Sequence, residues 1–319
     1  MQRTLIPTRR TIVPMRSATP ATPPSSIYQQ AEKTSPTVVA GSACTFNHPA
    51  DAGIGRGQSL FVPFYRPYDV PPEISIALNM LDLNNNPTDD YHFHLRTRHE
   101  ITRAYIALLI DAPSTLMYNV GISWLAIPQD VRCIQTGTWS FGDDAENYTS
   151  SCITERISFA SSFASQPKVL LAFRQLELAG EWYAHAQSYD IDTRGFNISS
   201  QVMRGTTLAS GVVTWIAFPA DLPGIWPGSF SVRPNSERGS VHFGVAFRAT
   251  PQIFTGFVKI DVDNKANLRI RQPQIFNVTT TSFDWELPSW WGTVVNEVVV
   301  SYLAIERNGD FSSLSATGL

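Results

Sequence analysis

The chain is poor in lysine, with 4 residues against 20 arginines, and only 16% of it is charged, for a net charge of −3. That balance supplies no broad positive field and excludes the electrostatic footprint of a nucleic-acid-binding domain. Cysteine is equally scarce. Cys44, Cys133 and Cys152 are too few and odd in number for a disulfide framework. They read as three separate thiols, with a Cys133–Cys152 bridge as the alternative. No apolar run reaches the length needed to cross a bilayer, and no segment keeps a helical apolar period over three turns. Catalytic motifs are missing too. Gly53-Ile54-Gly55-Arg56-Gly57 has no following helix and no Lys-Ser/Thr to close a phosphate loop. There is no Gly-x-Ser-x-Gly elbow and no carboxylate pair placed for glycoside hydrolysis. These absences argue against an enzyme and imply no cofactor.

What is present is a repeat. An aromatic residue is followed nineteen positions later by another inside a short apolar run: Tyr105 and Trp124 in GISWLAI, Phe196 and Trp215 in VVTWIAF, Phe283 and Tyr302 in VVSYLAI. The copies sit 91 and 87 residues apart, and such a period signals repeated domains. The chain divides accordingly into a lead (1–42), repeats over 43–130, 131–223 and 224–310, and a tail (311–319). Hydrophobic content of 43% is enough for real cores. Runs such as ISIALNML, VLLAFRQLEL and FVKIDV, alternating with Gly/Pro/Asn/Asp loops, read as strands. Each repeat has about six, which predicts an all-β protein of three tandem six-stranded antiparallel sandwiches. The near-identical exits Ile127-Pro128-Gln129-Asp130 and Phe218-Pro219-Ala220-Asp221 leave only a few linking residues, so the repeats are expected to pack against one another.

The lead is rich in Pro, Ser and Thr and too poor in apolar residues to repay ordering. It lacks the continuous apolar core of a secretory signal, and its prolines disfavour an amphipathic transit helix. The expected location is therefore the cytoplasm, or the exterior by a non-classical route. Sequons at Asn147, Asn197 and Asn277 bear glycans only if the chain is secreted.

The repeat resembles the H-type lectins of the snail agglutinin and discoidin C-terminal-domain kind. The likeness rests on the order of several motifs. They are a strand through Ile157-Ser158-Phe159-Ala160-Ser161-Ser162-Phe163, Pro167 leading a Val-Leu-Leu strand, a Leu-Glu-Leu turn, a Gly-Phe strand start, a Thr-Thr pair and the closing Val-Thr-Trp-Ile-Ala strand. The first repeat keeps Leu81-Asp82, Thr115 and Ser123-Trp124-Leu125-Ala126; the third keeps Ile260-Asp261, Thr293 and Ser301-Tyr302-Leu303-Ala304. The resemblance spans residues 45–307. It implies metal-free binding of galactose or N-acetylgalactosamine on glycans or glycoproteins, in pockets near protomer junctions of a trimer. Three fused copies then suggest a pseudo-trimer in one chain, with an end-to-end array as the alternative. Cell adhesion and self-association are further expectations of this kind.

A sugar presents a C–H face that stacks on an aromatic and hydroxyls that need directed partners. An arginine fork donates to them, and carboxylates or amides accept. Carried over by position, the third repeat has the family's Asn and Arg as Asn267 and Arg269 and its stacking Trp and polar neighbour as Trp290 and Trp291. Glu237 in the N-terminal loop is its candidate acceptor. In the second repeat the same positions hold Glu181, Tyr183, Met203 and Arg204, with Ala209 where the family has a Tyr. In the first they hold Asp90 and His92, then Ala112 and Pro113, with the later Tyr kept as Tyr118. The third repeat is the expected working pocket.

Two rival readings compete. His92-Phe93-His94 sets two imidazoles on one strand face near Asp89, Asp90 and His99, a set that zinc accepts, but no further ligand lies at a typical spacing. The other is a structural or protein-interaction scaffold that keeps the sandwich and has lost its pockets. The missing aromatics of repeats one and two favour it.

Overall fold

The computed structural model of the protein describes residues 37–45, 58–84, 93–111, 116–142, 148–149, 152–179, 182–201, 206–263, 267–289, 292–306 and 311. Every described element longer than a turn is a strand. The first repeat contributes β1 (Val39–Cys44), β2 (Gln58–Pro63), β3 (Glu73–Asn84), β4 (Phe93–Ile101), β5 (Tyr105–Asp111) and β6 (Leu116–Ile127). The second contributes β7 (Gln135–Phe141), β8 (Tyr148–Thr149), β9 (Cys152–Ser158), β10 (Pro167–Ala179), β11 (Trp182–Tyr189), β12 (Gly195–Gln201) and β13 (Thr207–Pro219). The third contributes β14 (Ile225–Val232), β15 (Arg238–His242), β16 (Pro251–Val262), β17 (Asn267–Ile270), β18 (Gln274–Phe276), β19 (Ser282–Glu286) and β20 (Val295–Glu306). Strand β1 begins four residues inside the stretch read as an unstructured lead.

Alternation explains the strands. In β19, Phe283 and Trp285 are buried while Ser282, Asp284 and Glu286 are not, as a pleat with one core face requires. The long strands also follow one plan. With the two-residue β8 left out of the count, the fourth strand of each repeat leaves its own fold partway and pairs antiparallel with the third strand of another: β4 with β10, β11 with β16, and β17 with β3. The exchange therefore runs from repeat one to two, two to three and three back to one. It joins strands of different repeats into sheets of order β2-β5-β4-β10-β13-β7 and β14-β20-β16-β11-β12-β9. In the third repeat the fourth strand is broken into β17 and β18. Pro273 lies in the gap, and proline has no N–H for a ladder. There β17 pairs only with β3 and β18 only with β19.

The tandem repeats are thus present, but not as three self-contained six-stranded units, because ladder bonds cross between copies. Two local readings also shift. Leu176-Glu177-Leu178 lies inside β10 rather than at a turn, and Phe159 and Phe163 follow the end of β9 in a loop. That loop recurs. Phe64–Tyr68, Phe159–Phe163 and Phe243–Phe247 stack edge-on at 5.0, 4.9 and 5.0 Å. Their backbone N–H groups bond the turn before the fifth strand of each repeat.

The aromatic spacing also has a structural basis. Phe196 meets Trp215 at 5.7 Å, and Phe283 meets Tyr302 at 5.1 Å. In the first repeat the pairing Val62↔Ile106 matches Ile157↔Phe196 and Val241↔Phe283, so Ile106, not Tyr105, holds the inward position. Tyr105 lies against the exposed Phe61 at 4.5 Å.

A second apolar cluster gathers Ala77, Leu125 and Ile127 of repeat one, Leu170, Ala172 and Ile216 of repeat two, and Phe254, Leu303 and Ile305 of repeat three. Within it the repeats meet at small residues. A Cβ placed on Gly256 would lie 2.6 Å from the Cβ atoms of both Ala77 and Ala172. Around this point the hydroxyls of the last strands cross to a neighbouring repeat. Thr214 donates to the Ile76 carbonyl at 2.6 Å, Ser301 donates to the Leu171 carbonyl at 2.6 Å, and Ser123 meets Thr255 Oγ1 at 3.3 Å. Burying these hydroxyls is tolerable because each finds a partner.

Candidate glycan site at the repeat junctions

The strand exchange places Arg269, of the third repeat, directly across from Asp82 of the first. Arg269 is held from its own side by Thr293, whose Oγ1 accepts the Arg269 N–H at 3.1 Å. From the other side Arg269 Nε lies 3.3 Å from Asp82 Oδ1, with both side chains less than a fifth exposed. The Arg269 guanidinium carbon stands 5.2 Å from the Tyr118 ring centroid, a cation–π contact with the first repeat. The Arg269–Asp82 contact lacks the alignment of a hydrogen bond, and Asp82 Oδ1 is a buried acceptor without a donor among the described residues. Burial pushes the Asp82 carboxyl above the ordinary range, and Arg269 pulls it partly back.

Tyr118 faces this junction because of a backbone irregularity. The β3–β6 ladder runs Asp82↔Asn119 then Leu83↔Met117, leaving Tyr118 as the extra residue of a bulge. The same slip leaves Ala209 extra in β13 and Asn296 extra in β20. Bulges re-aim a side chain out of the pleat, so a family position that reads as ordinary strand in sequence is a bulge in all three copies.

The equivalent junction between repeats two and three is built from different chemistry. Tyr183 pairs with Asp261, and its N–H is held by Thr206 Oγ1 at 3.1 Å. Lys259 Nζ stands over the Tyr183 ring at 5.3 Å, Asn296 donates to Asp261 Oδ1 at 3.0 Å, and Glu297 takes both Lys259 and Arg233. The protein's own groups thus satisfy the polar atoms at this junction. Between repeats one and two the register sets His94 opposite Glu177, as Arg269 lies opposite Asp82. The position assigned to His92 from sequence spacing therefore belongs to His94, two residues on. Ser210 donates to Glu177 Oε2 at 2.9 Å on that side.

The remaining expected residues divide as follows. Asp90, His92, Glu181, Arg204, Trp290 and Trp291 lie outside the described residues, and of Asn267 the backbone pairing with Asn84 is described. Glu237 is brought close to the third-repeat site. Its Oε1 accepts from Ser289 at 3.2 Å, and Ser289, one residue before Trp290, bridges to Ile270, one residue after Arg269. Sequence reasoning did not single out Asp82 as the residue facing Arg269, although an acid recurs at that place in every repeat as Asp82, Glu177 and Asp261. It also did not bring Arg269 and Tyr118 together, because they belong to different repeats.

Cys44, Cys133 and Cys152 are free thiols. Among the described residues no three His, Cys, Asp or Glu side chains cluster as metal ligands, and no helix is long and apolar enough to cross a membrane.

Comparison with known proteins gives one match. A family model described as H-type lectin domain fits residues 59–127, 154–218 and 238–305, well over half of the chain. No curated protein and no solved structure matches.

Proposed function

The chain belongs to the H-type lectin domain family, and from that premise we propose that it binds glycans ending in galactose or N-acetylgalactosamine at the junction between its third and first repeats. The observation that carries this reading is the meeting of Arg269 from one repeat with Asp82 and Tyr118 from another. Such a set answers the chemistry of a pyranose. The guanidinium donates to sugar oxygens, the unsatisfied Asp82 oxygen accepts from a hydroxyl, and an aromatic ring receives the C–H face. By its place in the family pattern, Trp290 is assigned the second stacking role. The same pattern assigns Asn267 and Trp291 to this site, and Glu237, held to Ser289 at 3.2 Å, is its further acceptor.

The same reading makes the chain a covalent pseudo-trimer, in which the three repeats take the place of three protomers. The exchange of β4, β11 and β17 between repeats and the meeting of Ala77, Ala172 and Gly256 support it. Two of its junctions lack the arginine. One observation favours a structural role for the junction between repeats two and three: Lys259, Glu297, Arg233 and Asn296 already satisfy one another and Asp261 there.

Calorimetric titration with N-acetylgalactosamine, on the wild type and on Arg269→Ala, tests the proposal. Heat in the wild type that disappears in the variant is the expected result. Heat unchanged in the variant would move the site elsewhere, and no heat with N-acetylgalactosamine or, in a parallel titration, with galactose would favour the scaffold.

A further inference from the structure

The second repeat carries another surface of recognisable chemistry, away from the arginine junction. Strands β9, β12 and β11 lie side by side, and residues of one face form rows by register: Cys152, Gln201 and His185; Thr154, Ser199 and Gln187; Arg156, Asn197 and Tyr189, with Ser199 buried at the floor of the middle row. Cys152 and Gln201 of the first row, the whole middle row, Ser188 and Tyr189 line an open depression of about 570 Å³. Its middle row is uncharged and made of hydrogen-bonding groups. Thr154 and Ser199 make no side-chain hydrogen bond among the described residues, and Gln187 donates from Nε2 to His185 at 3.2 Å, leaving its carbonyl oxygen available. Tyr189, 40% exposed as a residue, closes the row beyond. The cation of that row, Arg156, is taken up by Asp192 at 2.6 Å.

The other repeats show that the fold does not require this chemistry. The place of the middle row is held in the third repeat by the ion pair Arg238–Glu286, and in the first by Leu109 beside Ser59. The surface is also continuous with a repeat junction. His185 pairs with Gln201 on one side and with Lys259 of the third repeat on the other.

We propose that this face of the second repeat is a second glycan-contact surface, taking an extended, neutral oligosaccharide. The proposal rests on the lectin reading. Amide and hydroxyl groups that both donate and accept suit a row of sugar hydroxyls, and an exposed tyrosine suits the apolar face of a ring. The lack of free charge along the row matches an uncharged chain, and the extent of the groove suits more than one sugar unit.

The test is a backbone-amide NMR titration of the full chain with the neutral, galactose-terminated tetrasaccharide lacto-N-neotetraose. Saturable shifts at Thr154, Gln187, Tyr189 and Ser199 are expected, surviving in Arg269→Ala and weakened at least tenfold in the double variant Gln187→Ala/Tyr189→Ala. Shifts confined to residues around Arg269 would overturn the second surface and leave the lectin reading standing. Shifts nowhere would overturn both. The same shifts produced by raising the protein concentration without sugar would assign the face to a second copy of the chain, and so overturn the proposal as well.

Discussion

Gly137 lies directly across the sheet from Trp215, and a Cβ placed on it would sit 2.5 Å from the indole ring. The same relation joins Gly41 to Trp124 and Gly228 to Tyr302. The repeated aromatic thus lies across a glycine of the first strand in every repeat, and the missing side chain makes room for the ring. Replacing Gly137 by alanine forces the indole or the strand to move, an overpacking that costs about 1–3 kcal/mol. Chemical denaturation should show that loss with an unchanged m-value. Full stability in Gly137→Ala would contradict the packing.

Where the three repeats meet, small size is shared among Ala77, Ala172 and Gly256. Gly256→Ala should destabilise the chain by about 1–3 kcal/mol. Adding Ala77→Gly should recover part of that loss, because the two positions share one space and are expected to couple. Strictly additive effects in a double-mutant cycle would show that they do not touch.

Glu297 provides a pH test. Hydrogen bonds from Lys259 and Arg233 hold its carboxyl below the usual glutamate range, against an opposing effect of burial. A carboxylate depressed on folding contributes stability that is complete above its unfolded pKa, about 4.3. That contribution is lost as the pH falls through the lower folded value. Glu297→Gln should therefore flatten the fall in stability between about pH 5 and pH 3. An unchanged acid profile in the variant would dismiss the network as a contributor.

At the arginine junction, Arg269→Lys keeps the charge and loses the planar fork. It should weaken sugar binding by roughly tenfold or more, as expected for losing a charge-assisted hydrogen bond of about 1.5–3 kcal/mol. Tyr118→Ala should also weaken it, although Tyr118 belongs to a different repeat. Titration of both variants with N-acetylgalactosamine checks this, and unaltered affinity in Tyr118→Ala would confine the site to one repeat.

Much of this was legible in the sequence because it recurs within each copy. The threonine that precedes the last aromatic by nine residues appears as Thr206 and Thr293, and the structure shows why it recurs: its hydroxyl holds the N–H of Tyr183 or Arg269. The copy count and the all-β class followed from such signals, whereas Arg269 was singled out by the family resemblance and has no counterpart arginine in the other copies. Strand exchange left no trace, because a strand alternates in the same way whichever copy supplies its ladder partner. For the same reason Asp82 and Tyr118 could not be joined to Arg269 beforehand. Errors of one or two residues arose where copies differ in length. The aromatic spacing chose Tyr105 where the pleat buries Ile106, and loop spacing chose His92 where the register sets His94.

The central claim is that the arginine-junction sugar site is shared by two distant parts of the chain. A crystal structure of the protein with N-acetylgalactosamine bound tests it most directly. The account predicts one sugar at the junction of the third and first repeats, with Arg269 and Asp82 on its hydroxyls and Tyr118 at its edge. An empty junction, or a sugar at the junction without contact to both Arg269 and Asp82, would contradict it.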